Sequence, residues 1–198
     1  MHKTLDFYFD LGSPASYLAW TQLPALCARH QAHLLYRPML LGGVFQATGN
    51  ASPAMVPAKG RYMFIDLARY AERYGVPFGL PPGFPVNTLN LMRGLLGTQL
   101  HAPERFEALL KVLFEGLWMQ QRNLSDPEVL GRTLAEGGFD AQVFQALAAR
   151  ADVKEALKVA TQQAVERGLF GAPTCFVGEQ MFFGQDRLDF VEQALTGQ

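Results

Sequence analysis

Residues 4–36 read TLDFYFDLGSPASYLAWTQLPALCARHQAHLLY, and the fold turns on this stretch. Residues 4–9 are rich in aromatic and β-favouring side chains with a polar break, which predicts a strand. Asp10-Leu11-Gly12 closes it. Ser13-Pro14 then has the form of a helix start, with serine at the N-cap and proline at the first helical position. Tyr17, Leu18, Leu23, Leu26 and Cys27 carry an apolar helical stripe to about His30. Leu34-Leu35-Tyr36 is a second short strand, ended by Arg37-Pro38. Strand–helix–strand over so short a span predicts parallel pairing through a right-handed crossover.

Downstream, residues 42–60 hold several glycines, Pro53 and Pro57, and are expected to be irregular. Connections of that length are often functional. Helical periodicity resumes over 60–74 through Met63, Ile65, Leu67 and Tyr70. Residues 76–87, VPFGLPPGFPVN, carry four prolines and cannot be regular helix. Helices are predicted over 89–100, 103–119, 127–136, 141–149 and 153–167. The end changes character. Residues 174–177 and 180–183 are strand-like runs around Gly178-Glu179, a hairpin signal, and 188–195 reads as a closing helix. The order is β-α-β, a helical block, then α-β-β-α. This is an α/β chain on the thioredoxin plan, expected as a single unit over 1–198. Its thioredoxin-like part would occupy about 1–40 and 151–198, with a large all-helical insertion at about 60–150.

The composition excludes several classes. Hydrophobic residues make up 49% and charged residues 18%, so a chain of this length can bury a core without disulfides or structural metal. The formal net charge is −1 with no basic block, which gives nucleic acid no electrostatic footprint. No apolar stretch has the length of a membrane span. The start, MHKTLDFYFD, breaks its apolar residues with Asp6 and Asp10, unlike a secretory signal. The expected compartment is the cytoplasm. Cys27 and Cys175 lie outside any Cys-x-x-Cys or zinc spacing, and each sits in an apolar run, so both read as core. A dithiol mechanism therefore lacks its paired sulfurs. His2, His30, His33 and His101 have no ligand spacing, and no metal is expected. Trp20 and Trp118 read as packing residues.

Four places could carry chemistry. At 9–17, FDLGSPASY, unpaired N–H groups and the helix dipole at a helix start stabilise an anion, and a bound thiolate is one. The Ser13 hydroxyl could donate to it, although on local sequence alone a plain N-cap is the commoner reading of Ser13. At 170–177, FGAPTCFV, Pro173 withholds an N–H from the strand ladder. A cis Ala172–Pro173 bond would turn the Ala172 N–H and C=O toward a cleft, where they could pair an extended peptide-like ligand; an ordinary trans proline is the commoner case. At 183–188, FGQDRL, Asp186 could accept from an ammonium and Arg187 could pair a carboxylate, or they are a helix cap and a solvated cation. Asn50, Lys59, Asn87 and Asn90 are loop residues able to contact a ligand.

The ordered set resembles the 2-hydroxychromene-2-carboxylate isomerases and the kappa-class glutathione transferases, DsbA-like relatives of thioredoxin. The matching stretches are FYFDLGSPASYLA, RPMLLGG, Gly49-Asn50, KGRYMFIDLARYAERYG, FPVNTLNLMRG, FGAPTCFV and FGQDRLDFVEQAL, which together span nearly the whole chain. The resemblance implies a DsbA-like fold and glutathione as the cofactor. It places the glutathione sulfur on Ser13 with Pro14 beside it, and the cysteinyl backbone on Ala172 and cis-Pro173. It places the γ-glutamyl end at Asp186 and Arg187, flanked by Gln185 and Leu188, and the glycyl end and substrate mouth at Asn50 and Lys59. Asn87 would face the second substrate. The implied reaction is isomerisation of 2-hydroxychromene-2-carboxylate, or a similar intermediate of aromatic-hydrocarbon breakdown, by reversible thiolate addition. The alternatives are a kappa-like transferase that conjugates glutathione to electrophiles, and a non-catalytic thioredoxin-fold binding protein. Relatives are often dimers, so a homodimer is the expectation by analogy.

Overall fold

The computed structural model describes residues 3–197; His2 and the two ends of the predicted 1–198 unit lie outside them. The opening strand–helix–strand is β1 (Lys3–Phe9), α1 (Pro14–Arg29) and β2 (Ala32–Pro38). There follow α2 (Leu41–Thr48), α3 (Pro57–Tyr74), α4 (Leu89–His101), α5 (Phe106–Phe114), α6 (Pro127–Glu136), α7 (Ala141–Ala149) and α8 (Ala151–Glu166). The chain closes with β3 (Thr174–Val177), β4 (Gln180–Phe183) and α9 (Leu188–Thr196). Single turns of tighter helix stand at Pro53–Met55, Pro103–Arg105 and Gln185–Arg187. The strands form one sheet in the order β2-β1-β3-β4, with β1 and β2 parallel and the other two pairings antiparallel. The predicted hairpin turns at Gly178, which takes φ +59°.

Two expectations are corrected. Residues 42–60 are irregular only between α2 and α3: α2 fills most of the first half, and α3 starts at Pro57 rather than 60. The Gly42-Gly43 pair concealed α2, because glycine disfavours helix on propensity alone. Gly43 is needed for packing: a Cβ there would stand 3.0 Å from Thr161 Cγ2 of α8. The predicted 103–119 helix is also divided, into one tight turn, α5, and a wider π-helical turn at Glu115–Met119.

The sheet shares its faces by the period-two rule. Leu5, Phe7 and Phe9 are fully buried on one face, with Tyr17 and Leu18 of α1 and Leu91, Met92 and Leu95 of α4 in the same core. Each such side chain contributes roughly 1.5–3 kcal/mol on burial. On the other face a smaller core holds Met39, Val44, Ala164, Leu169 and Phe176. There Arg167 donates to Asp6 Oδ2 at 2.9 Å and lies 3.8 Å from the centre of the Phe176 ring. Burial raises the Asp6 pKa, but hydrogen bonds and charge from Arg167 and Arg37 outweigh it and hold the carboxyl below its ordinary 3.8. Both cysteines are buried and free, and burial pushes the Cys27 thiol up to about 11 and the Cys175 thiol up as well. Among the described residues, no helix is long and apolar enough to cross a membrane.

Candidate functional site

Because β1 and β3 run antiparallel, with Tyr8 opposite Thr174, the exit from β1 lies beside the entry to β3. This brings 12–15 and 170–173, which are remote in sequence, to one cleft of about 770 Å³. The turn between β4 and α9 completes its floor through Gly184, Gln185 and Asp186. Gly184 takes φ +105°, and a Cβ there would meet Asp186 Oδ1 at 2.3 Å, so this turn requires glycine. Leu41 and Phe45 of α2, the 50–53 loop and one face of α3 form the remaining walls.

Ser13 is the N-cap of the 16-residue α1. It is 4% exposed. Its Oγ accepts from the Ser16 N–H at 3.1 Å and donates to the Ala172 carbonyl at 3.1 Å. The cap and the cleft-facing roles therefore belong to one hydroxyl. The Ala172–Pro173 bond is cis, as is Phe84–Pro85. The Ala172 N–H has no acceptor among the described residues, so this segment faces the cleft with a free donor. Ser16 is fully buried behind Ser13, and its hydroxyl has no hydrogen-bond partner among the described residues.

The floor is held from beneath by Asp10, which the sequence reading treated only as the end of a strand. Asp10 is 2% exposed. Its Oδ1 accepts from Gly12 N at 2.8 Å and Thr88 Oγ1 at 2.7 Å, and its Oδ2 accepts from Leu41 N at 2.8 Å. One carboxylate thus ties the β1–α1 turn to the starts of α2 and α4, and it caps α2, whose N-cap Leu40 has no capping side chain. Burial raises the Asp10 pKa against the opposing pull of these three hydrogen bonds. From the other side, Trp118 Nε1 donates to the Leu11 carbonyl at 2.9 Å, so the packing role predicted for Trp118 includes anchoring this turn.

Ser13, Pro14, Asn50, Lys59, Ala172, Pro173, Gln185 and Asp186 all line the cleft. Asn50 Nδ2 donates to the Phe170 carbonyl at 2.7 Å and so ties the mouth to the segment before β3. Lys59 is exposed and makes no ion pair among the described residues.

Three predicted residues are placed elsewhere. Arg187 pairs with Asp186 Oδ2 at 2.5 Å and lines a neighbouring hollow with Met181 and Phe190. Leu188 is in the core. Successive residues in a tight helical turn point about 120° apart, so Asp186 can face the cleft while its two followers do not. Asn87 is exposed, accepts from Leu89 N at 3.1 Å at the start of α4, and lines a separate hollow with Asn90 and Gln145. Phe84, three residues earlier, takes the cleft position instead.

The sequence reading missed the apolar wall. Phe45, Tyr62, Met63, Phe170 and Phe183 line the cleft, and the last two rings lie 4.6 Å apart. The signal was present in α3, where Lys59, Tyr62, Met63 and Asp66 recur at helical spacing on one face. Chemically, the floor offers the N-terminus of α1, a hydroxyl, a free amide and two acid or amide side chains, beneath an aromatic wall with one unpaired ammonium. Among the described residues no three His, Cys, Asp or Glu side chains gather to hold a metal.

A family model described as "DSBA-like thioredoxin domain" matches residues 4–196. The chain is 34% identical to the 2-hydroxychromene-2-carboxylate isomerase of Sphingobium xenophagum, over 98% of this chain and 99% of that protein. It is 29% identical to glutathione S-transferase kappa 1 of Homo sapiens, over 98% of this chain and 91% of that one. A solved 2-hydroxychromene-2-carboxylate isomerase superposes with a TM-score of 0.87 at 30% identity, covering 98% of this chain and 95% of the other.

Proposed function

The chain belongs to the DSBA-like thioredoxin domain family, and we propose that within it the protein is a glutathione-dependent isomerase of 2-hydroxychromene-2-carboxylate or a similar aromatic-catabolism intermediate. The observation that carries this reading is the meeting, at 3.1 Å, of the Ser13 hydroxyl and the Ala172 carbonyl at the N-terminus of α1. The residues fit glutathione. The Ala172 N–H has no acceptor among the described residues and Lys59 offers an exposed cation, and an extended tripeptide with charged ends suits both. Asp186 would take its ammonium, with Gln185 beside it, and Asn50 and Lys59 would take its glycyl end.

Bound glutathione would supply a thiolate able to add reversibly to a conjugated carbon, chemistry that allows rotation about the former double bond with no net redox change. Ser13 stabilises that sulfur. In the free protein its proton is spent on the Ala172 carbonyl. A ligand amide that takes over this carbonyl frees the hydroxyl to turn to the sulfur, while Oγ keeps its bond from Ser16 N–H. The first amides of α1 add their partial positive charge. The aromatic wall excludes water from the substrate ring.

A kappa-like transferase is the second reading, supported by the match to kappa transferases along nearly the whole chain. Incubation of a hydroxychromene carboxylate with catalytic glutathione separates the two. The isomerase reading expects substrate interconversion with free thiol unchanged. Stoichiometric thiol loss would favour the transferase, and no turnover with or without glutathione would reject both.

A further inference from the structure

Behind α2 lies a second cavity, of about 700 Å³, walled by α2, α4 and α8. Leu41 and Phe45 of α2 face the first cleft, whereas Gly43, Gln46 and Ala47 face this one. A single eight-residue helix is thus the partition between them. Arg93 reaches in from α4. Its Nε is buried without a hydrogen-bond partner, and its guanidinium makes no ion pair among the described residues. A buried cationic N–H with no acceptor is costly, so the position calls for an anion. Lys154 and Lys158 stand one turn apart on α8 at the same cavity. Glu155, the one carboxylate in the lining, sits 3.7 Å from Lys158. Arg93 and Lys154 therefore have no carboxylate of their own there. The rest of the wall includes Leu40, Leu89, Leu157 and Val165.

We propose that this cavity binds a small organic carboxylate with an apolar body. The planar fork of Arg93 suits a two-oxygen anion, Lys154 adds charge at the rim, and the leucines take the body. Inorganic phosphate is disfavoured because the apolar wall would strip its water without replacing those hydrogen bonds. The volume lies within the usual range for small-molecule sites, about 300–1,000 Å³.

The test is calorimetric titration of sodium 2-naphthoate into the full chain, with and without excess glutathione. The expected result is saturable one-site binding that survives excess glutathione and is unaffected by equal inorganic phosphate. Arg93→Gln should weaken it about tenfold or more, as loss of a charge-assisted hydrogen bond does, and Lys154→Gln several-fold. Lys154 is exposed on α8, so its variant keeps the test decisive if Arg93→Gln does not fold. Absence of saturable heat, equal affinity in wild type and both variants, displacement by glutathione, or equal competition by phosphate would each overturn the proposal.

Discussion

On the floor of the cleft Ser13 is 4% exposed and its Oγ holds two hydrogen bonds of 3.1 Å; at the mouth Tyr62 is 62% exposed and Lys59 makes no ion pair among the described residues. The floor is assembled from strand ends and helix starts, where backbone amides and carbonyls are left over from regular structure. The mouth comes from the solvent-facing stripe of one helix and a loop. A floor made of backbone groups can hold one invariant ligand in one way. A mouth made of side chains can change without disturbing the sheet. The division would suit the proposed function, with the cofactor on the floor and the second substrate at the mouth.

The sharpest way to break the comparison is at Ser13. Ser13→Ala should lower kcat about 100- to 1,000-fold, as removal of an anion-stabilising donor does elsewhere, with glutathione affinity less affected. Steady-state kinetics read both. Asp10 comes next, because the floor depends on it from beneath. Asp10→Asn turns an amide donor toward N–H or O–H donors that the carboxylate accepts, so it should cost about 1–3 kcal/mol of stability. Urea unfolding at neutral pH measures it.

At the mouth the effects should be smaller and of another kind. Lys59→Ala should raise KM several-fold, for one lost solvent-exposed charge contact, with kcat nearly unchanged; an equal fall in kcat would place Lys59 on the floor's side of the division. The smallest effect lies across the sheet. Asp6→Asn should cost about 1 kcal/mol at pH 7. Because the folded Asp6 pKa is lowered, its contribution is complete above the ordinary 3.8 and is lost as pH falls through the lower folded value. The difference between variant and wild type should therefore close in strongly acidic buffer, as read by denaturant midpoints at both pH values.

The same contrast explains what could be read in the sequence. The four strands, the hairpin turn, and the Ser13-Pro14 and Ala172-Pro173 pairs are local signals, set by propensity, capping and turn chemistry within a few residues. They fall where expected. α2 was hidden because Gly42-Gly43 disfavours helix on propensity, and the contact that Gly43 answers, with Thr161, is more than a hundred residues away. Asp10 looked like a strand end because its three donors come from separate elements. Arg187 and Leu188 were drawn toward the cleft by adjacency to Asp186, and only the turn geometry separates them. Asn87 lines a separate hollow while Phe84 lines the cleft, a distinction that a proline-rich stretch without periodicity does not reveal.

The central claim is that Ser13 holds another molecule's sulfur as an anion. Ultraviolet titration of the thiol of glutathione bound to wild type and to Ser13→Ala tests it most directly. The bound thiol should ionise below free glutathione in the wild type, and about one to two pH units higher in the variant, the worth of one hydrogen bond to a charged group. Identical titration curves for the two proteins, with glutathione demonstrably bound to both, would contradict it.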